Sequence, residues 1–265
     1  MTTPQPNWTR PPVIEVVVGV QFAQIAGLNN GTLGLFWHAM REHYPLADDA
    51  PPVPLVLDAV GAEPEFGLPG ISFGPARGDS RLRLISADQT RMIQVQNGWL
   101  LANWMKRAGS PYPGFSGVLT QFNSALQGFE QFLANEKLSP MTPEVWEVTY
   151  IDHMPRGTVW KDSGDIPAVL PGLLGAGVGL PSQLQTIQAT WEFGLLANPG
   201  RLEIVVQTAR TMGDPFTDIL ATRSTARGPI TPASTLESAL NHGRTAAVET
   251  FMSVTSDAAK AYWKG

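Results

Sequence analysis

Glu15 and Glu147 are the two residues whose type and setting ask most of chemistry. Each interrupts a run of apolar and β-branched residues, VIEVVVGVQF in the first case and VWEVTYI in the second. An ionised carboxylate turned into an apolar core costs on the order of several kcal/mol unless it is paired. Both are therefore expected on the face of their strand away from the core. Were the two strands to meet, adjacent carboxylates would raise one pKa and offer an acid-base or metal-binding site. The plainer reading is a pair of solvated or arginine-paired strand glutamates.

Other chemistry-bearing residues form weaker patterns. His38, His43, His153 and His242 show no spacing that suits a zinc site, so no metal is expected. Asp152 and His153 are the nearest acid-histidine pair, but neighbours on a strand face opposite sides. The GAGVG stretch at Gly175–Gly179 lacks the Lys-Ser/Thr of a phosphate loop, and no GxSxG elbow is present. No cofactor is expected.

The hairpin RMIQVQNGWLLANWM is more informative, because alternate strand residues share a face. Ile93, Val95, Leu100 and Ala102 fall together as the core side. Gln94, Gln96, Trp99, Leu101 and Asn103 fall on the other, a mixed face of aromatics and amides suited to recognition or to nothing more than solvent exposure. Trp104 and Tyr150 are candidate pocket walls, with Asp152 and His153 as candidate acid-base groups beside Glu15 and Glu147.

The elements that position these residues follow from pattern. Val13–Phe22 reads as a strand behind a Pro pair, and Thr32–Tyr44 as a helix through Leu33, Phe36, Trp37 and Met40, ended by Pro45. Pro54–Asp58 is a short strand and Gly61–Gly78 a loop. Strands follow at 81–86, 91–96 and 99–105, the last two joined by Asn97-Gly98 as a type I′ turn. A long amphipathic helix spans about Phe115–Glu136. Another strand, Pro143–Met154, opens a second series: an interrupted helix near Ile166–Leu174, strands near Leu184–Leu195, Arg201–Arg210 and Phe216–Ser224, and a final helix over about Ala233–Lys260.

Sliding the chain by 132 residues sets Pro143, Val145, Glu147 and Val148 on Pro11, Val13, Glu15 and Val16. The expected fold is α+β: two tandem β-α-β(3-4)-α repeats, 1–141 and 142–265, sharing one curved antiparallel sheet with the long helices on one face. That layout is like those of the TATA-binding-protein and helix-grip folds, a likeness that carries no function.

Composition narrows the classes. A chain of 265 residues with no cysteine has no disulfide or thiolate metal site, and a reducing, cytoplasmic setting is the natural expectation. Neither a secretory leader nor a membrane span is read in it. A net charge of −5 without a basic stripe argues against nucleic acid. Only 15% of residues are charged, while 8 Trp and 8 Met are present, which favours a protein or peptide partner and self-association.

Several stretches together resemble an uncharacterised, sporadically distributed bacterial family of about this length: PPVIEVVVGVQF, LGLFWHAMREHYP, RMIQVQNGWLLANWMKR followed by YPGF, and WEVTYIDHM. LNHGRTAAVETFMSVTSDAAKAYW is similar to that family's closing helix. The resemblance runs nearly end to end and implies the fold and its extent, not an activity.

Two readings of function follow. One is a non-enzymatic binding or accessory protein of a bacterial operon, recognising a protein or peptide on the open sheet face; the absence of any catalytic constellation favours it. The other is a small-molecule binder or enzyme with a pocket between sheet and helices. A flat open sheet would favour the first, and a closed apolar cavity the second.

Overall fold

The computed structural model describes residues 8–53, 80–174, 184–196, 199–211 and 215–265. The strand expected at Pro54–Asp58, the Gly61–Gly78 loop and the GAGVG stretch lie outside the described residues. The described residues form an α+β fold, with one antiparallel sheet of nine described strands in the order β2-β3-β4-β5-β1-β6-β9-β8-β7. The strands are β1 Val13–Phe22, β2 Leu46–Ala50, β3 Arg81–Ile85, β4 Arg91–Gln96, β5 Trp99–Met105, β6 Pro143–Pro155, β7 Gln188–Gly194, β8 Arg201–Arg210 and β9 Asp218–Pro229.

The helices are α1 Asn30–Met40, α2 Gly114–Asn135, α3 Ile166–Val169, α4 Pro171–Leu174, α5 Leu236–Val254 and α6 Asp257–Lys264. The long helices cover one face, α2 on β1 and β5, and α5 on β6 and β9. Period-two alternation explains why. Val16, Val18, Val20 and Phe22 of β1, with Trp146, Val148 and Met154 of β6, turn to the helices and are buried. The Trp146 indole is held between two glycines: a Cβ at Gly243 of α5 would stand 2.5 Å from its Cζ3, and one at Gly228 of β9 would stand 2.8 Å from its Cζ2.

Several expectations are corrected. The helix over Thr32–Tyr44 starts earlier and stops earlier, because Asn29 caps it by accepting from Gly31 and Thr32, and the turn Trp37–Tyr44 closes instead through Trp37 Nε1 donating to the Tyr44 carbonyl. The single final helix is two. Thr255 is extended, and the Ser256 hydroxyl accepts from Ala259 N to start α6 afresh. The Asn97-Gly98 turn is not type I′, since Gly98 alone takes a positive φ, 112°. The Asn97 carboxamide is instead committed to the loop after β1, accepting from Ile25 N at 2.8 Å and donating to the Ile25 and Leu28 carbonyls.

Candidate functional site

The central pair β1 and β6 brings the two glutamates into one neighbourhood but not together. Val17 lies opposite Thr149; Glu15 is opposite Ile151, and Glu147 is opposite Gly19. Four residues of register separate the carboxylates, roughly 14 Å along the strands. Both lie on the helix-free face, as expected, and each has a protein partner. Asn103 Nδ2 donates to Glu15 Oε1 at 2.6 Å, and Arg227 Nη2 stands 3.4 Å from Glu147 Oε2. Burial raises both pKa values, opposed chiefly by the Asn103 bond at Glu15 and by Arg227 at Glu147. The geometry is that of two separate, partnered glutamates, and among the described residues no group of three or more His, Asp or Glu comes together.

The mixed hairpin face is likewise not open. Gln94, Gln96, Trp99, Leu101 and Asn103 are all buried, although the helices lie on the other side. Their amides serve the scaffold. Gln94 Nε2 donates to Asn103 Oδ1 at 2.9 Å, continuing the chain that ends on Glu15. The Gln96 carboxamide accepts from Val53 N and donates to Val53 O, pairing with that backbone as a strand would. Sequence parity assigned these residues their face correctly; it carries no information on what distant segment covers that face. The more accessible part of the face lies on β7, β8 and β9, where Arg223 meets Glu203 at 3.0 Å and Arg201 meets Glu192 at 3.7 Å.

The remaining candidates converge at the end of the sheet where β1 begins and β5 and β6 finish. Residues 8–12 run across this end. Arg10 N donates to the Trp263 carbonyl and His153 N to the Pro12 carbonyl, both at 3.0 Å. Trp8 packs on Trp263 with ring centroids 5.1 Å apart, and the Arg10 guanidinium lies over the Tyr262 ring. Beneath this strap is a cavity of about 70 Å³ between β6 and α5, lined mainly by apolar groups such as Val13, Val248, Phe251 and Met252, with Tyr112, Tyr150, Asp152 and Arg244 as its polar members. A groove of about 860 Å³ runs around the sheet end and shares Trp8, Pro11, Pro12, Val13 and Tyr112 with it. Trp104 and His153 line the groove, and Trp104 packs against Tyr112 with ring centroids 4.8 Å apart and the rings tilted by 49°.

Alternation along β6 explains the polar cluster. Tyr150 and Asp152 share the helix side, while His153 faces away, so Asp152 and His153 make no acid-base dyad. Asp152 is 5% exposed, and burial raises its pKa to about 7 against the opposing bond from Thr222 Oγ1, which donates to Oδ2 at 3.2 Å. The Tyr112 and Tyr150 hydroxyls stand 3.5 Å apart. Burial pushes both phenols up, and Arg244 acts on both in the opposite sense. Desolvation also lowers the pKa of His153. Ser224, opposite Tyr150 in the β6–β9 ladder, has a buried hydroxyl without a hydrogen-bond partner among the described residues. Such a cluster can hold a polar group of a ligand by directional bonds and can exchange a proton near neutral pH.

Sequence reasoning named Trp104, Tyr150, Asp152 and His153 and missed Tyr112, Thr222 and Arg244. Arg244 carried a signal: it falls at helical spacing with Leu240 and Ala247, both buried on α5, and a charge in such a stripe is a buried charge. No family model, curated protein or solved structure matches the chain.

Proposed function

We propose that this protein binds a small molecule in the cleft at the sheet end, one end of it reaching Tyr150, Asp152 and Arg244. The observation that carries the reading is the small, largely apolar pocket whose few polar groups converge and which shares Trp8, Pro11, Pro12, Val13 and Tyr112 with a larger groove. The non-enzymatic form of the reading is preferred, since among the described residues Asp152 is the only acid in the cavity lining and has no histidine beside it on its face. The experiment is mass analysis of small molecules released on denaturing the gently purified protein, with Val248→Phe, which fills the cavity, as comparison. The reading expects a compound retained by the wild type and lost from the variant; equal recovery from both contradicts it.

The same proposal takes the chain as two repeats, 1–141 and 142–265, in the TATA-binding-protein-like or helix-grip-like layout. Two observations support it. The strands read outward from β1 as β5-β4-β3 and from β6 as β9-β8-β7. The 132-residue slide carries Val17 onto Thr149, the residue directly opposite it, so the register is symmetric about that pair. It is also the organisation that the resemblance to the bacterial family implies.

A second reading, self-association, rests on β7. Among the described residues it is the last strand of the sheet, and Phe193 on it and Leu196 just beyond it are exposed. Antiparallel pairing of β7 with a second copy would continue the sheet. Light scattering of the wild type at micromolar concentration should give a dimer and Phe193→Lys a monomer; a monomeric wild type contradicts it.

A further inference from the structure

Resting on the cleft reading, we propose that its ligand is an organic anion, an apolar ring or branched chain bearing one carboxylate-type head that Arg10 and Lys106 receive at the mouth of the groove.

Charge is the first argument. The chain carries a net −5, yet the described residues lining the groove include Arg10, Lys106 and His153 and no aspartate or glutamate. A concave site lined by one sign of charge concentrates small ions of the opposite sign even on a protein of unfavourable net charge. Neither cation is consumed. Arg10 lies 5.6 Å over the Tyr262 ring, which leaves the edge of its guanidinium available, and Lys106 Nζ donates to the Pro11 carbonyl at 3.2 Å, which leaves its other protons. Among the described residues no carboxylate pairs with either.

Shape is the second. Of the aromatic residues around the groove, Trp104 and Trp263 are themselves buried, and it is the partly exposed faces of Trp8, Tyr112 and Tyr262 that supply area for a flat apolar body. The inner cavity, at about 70 Å³, admits a few non-hydrogen atoms, so the body lies in the groove and only one end of it reaches Tyr150 and Asp152. A buried carboxyl is a poor neighbour for a second carboxylate. The head is therefore held outside, where the cations are.

The test uses three probes of one shape, 2-naphthoate, 2-naphthylmethanol and 2-naphthylmethylammonium, titrated by calorimetry into the wild type and into the double variant Arg10→Gln/Lys106→Gln. Both side chains are exposed, so the variant is expected to keep the wild-type melting temperature. The proposal expects naphthoate to bind most tightly and to weaken roughly tenfold in the variant, the sum of two solvent-exposed pairings. Equal or tighter binding of the alcohol or the ammonium, unchanged in the variant, overturns the anion assignment while leaving the cleft as the site. Failure of all three probes to bind overturns the cleft reading with it.

Discussion

The hydroxyl of Tyr150 lies 3.5 Å from that of Tyr112, and the two residues reach this contact from β6 and from the loop between β5 and α2. Two half-buried phenols within hydrogen-bond distance of each other are expected to be coupled. A double-mutant cycle of Tyr112→Phe and Tyr150→Phe in urea should give a coupling energy of about 0.5–1.5 kcal/mol. Additive single-variant effects would show that the hydroxyls do not interact.

Asp152 makes stability depend on pH in a direction opposite to that of an ordinary paired carboxylate. Its folded pKa is about 7, against 3.8 for an unperturbed aspartate. Between those values the native chain holds a proton that the unfolded chain has released. Its contribution therefore falls as pH rises from about 4 to about 7, by up to roughly 4 kcal/mol, and is flat above. Asp152→Asn keeps an acceptor for Thr222 Oγ1 and removes the ionisation. Denaturation at pH 5 and pH 8 should show the variant gaining on the wild type as pH rises, and a constant difference would contradict the burial of that carboxyl.

The Trp146 indole leaves no room above Gly243, where an added Cβ would stand 2.5 Å from Cζ3. Alanine is the better helix former by about 1 kcal/mol. Gly243→Ala should nevertheless destabilise by about 1–3 kcal/mol, because Trp146 is 1% exposed and also abuts Gly228, so it cannot give way. Unchanged or increased stability by chemical denaturation would place the helix farther from the sheet.

Glu15 is held by Asn103, whose donated bond a glutamine carbonyl accepts equally well. Burial is the largest influence on its pKa and favours the neutral form. Glu15→Gln should therefore leave stability at pH 7 unchanged or raise it by up to about 1 kcal/mol. A loss of several kcal/mol in a melting experiment would mean that Arg81 or Arg107 depends on that charge for its place.

Much of this fold was legible because its central strands are locally emphatic. The β-branched run of Val13–Phe22 and the alternation in Arg91–Gln96, Trp99–Met105 and Arg201–Arg210 match the observed strands residue for residue. Strand β2, LADDA, has no such pattern. Four of its five residues are exposed, and it is a strand through its pairing with β3, including the Asp48–Arg83 contact at 2.6 Å. The break between α5 and α6 was hidden for a similar reason, since Ser256 caps the second helix from within an otherwise helical pattern. At the site, Tyr150 and Asp152 could be named because a strand sets their side, whereas Tyr112, Thr222 and Arg244 join them from three other segments that only the folded sheet brings near.

Eight tryptophans, distributed between the cleft and the rest of the molecule, allow the central claim to be read in one spectrum. Trp8, Trp104 and Trp263 line the groove, while Trp99 lies on the helix-free face and Trp191 on the edge strand β7. In 5-fluorotryptophan-labelled protein titrated with 2-naphthoate, the fluorine resonances of Trp8, Trp104 and Trp263 should shift together with one saturation curve while those of Trp99 and Trp191 stay in place. Shifts confined to Trp99 or Trp191 would put recognition on the sheet face or its edge and contradict the cleft as the binding site.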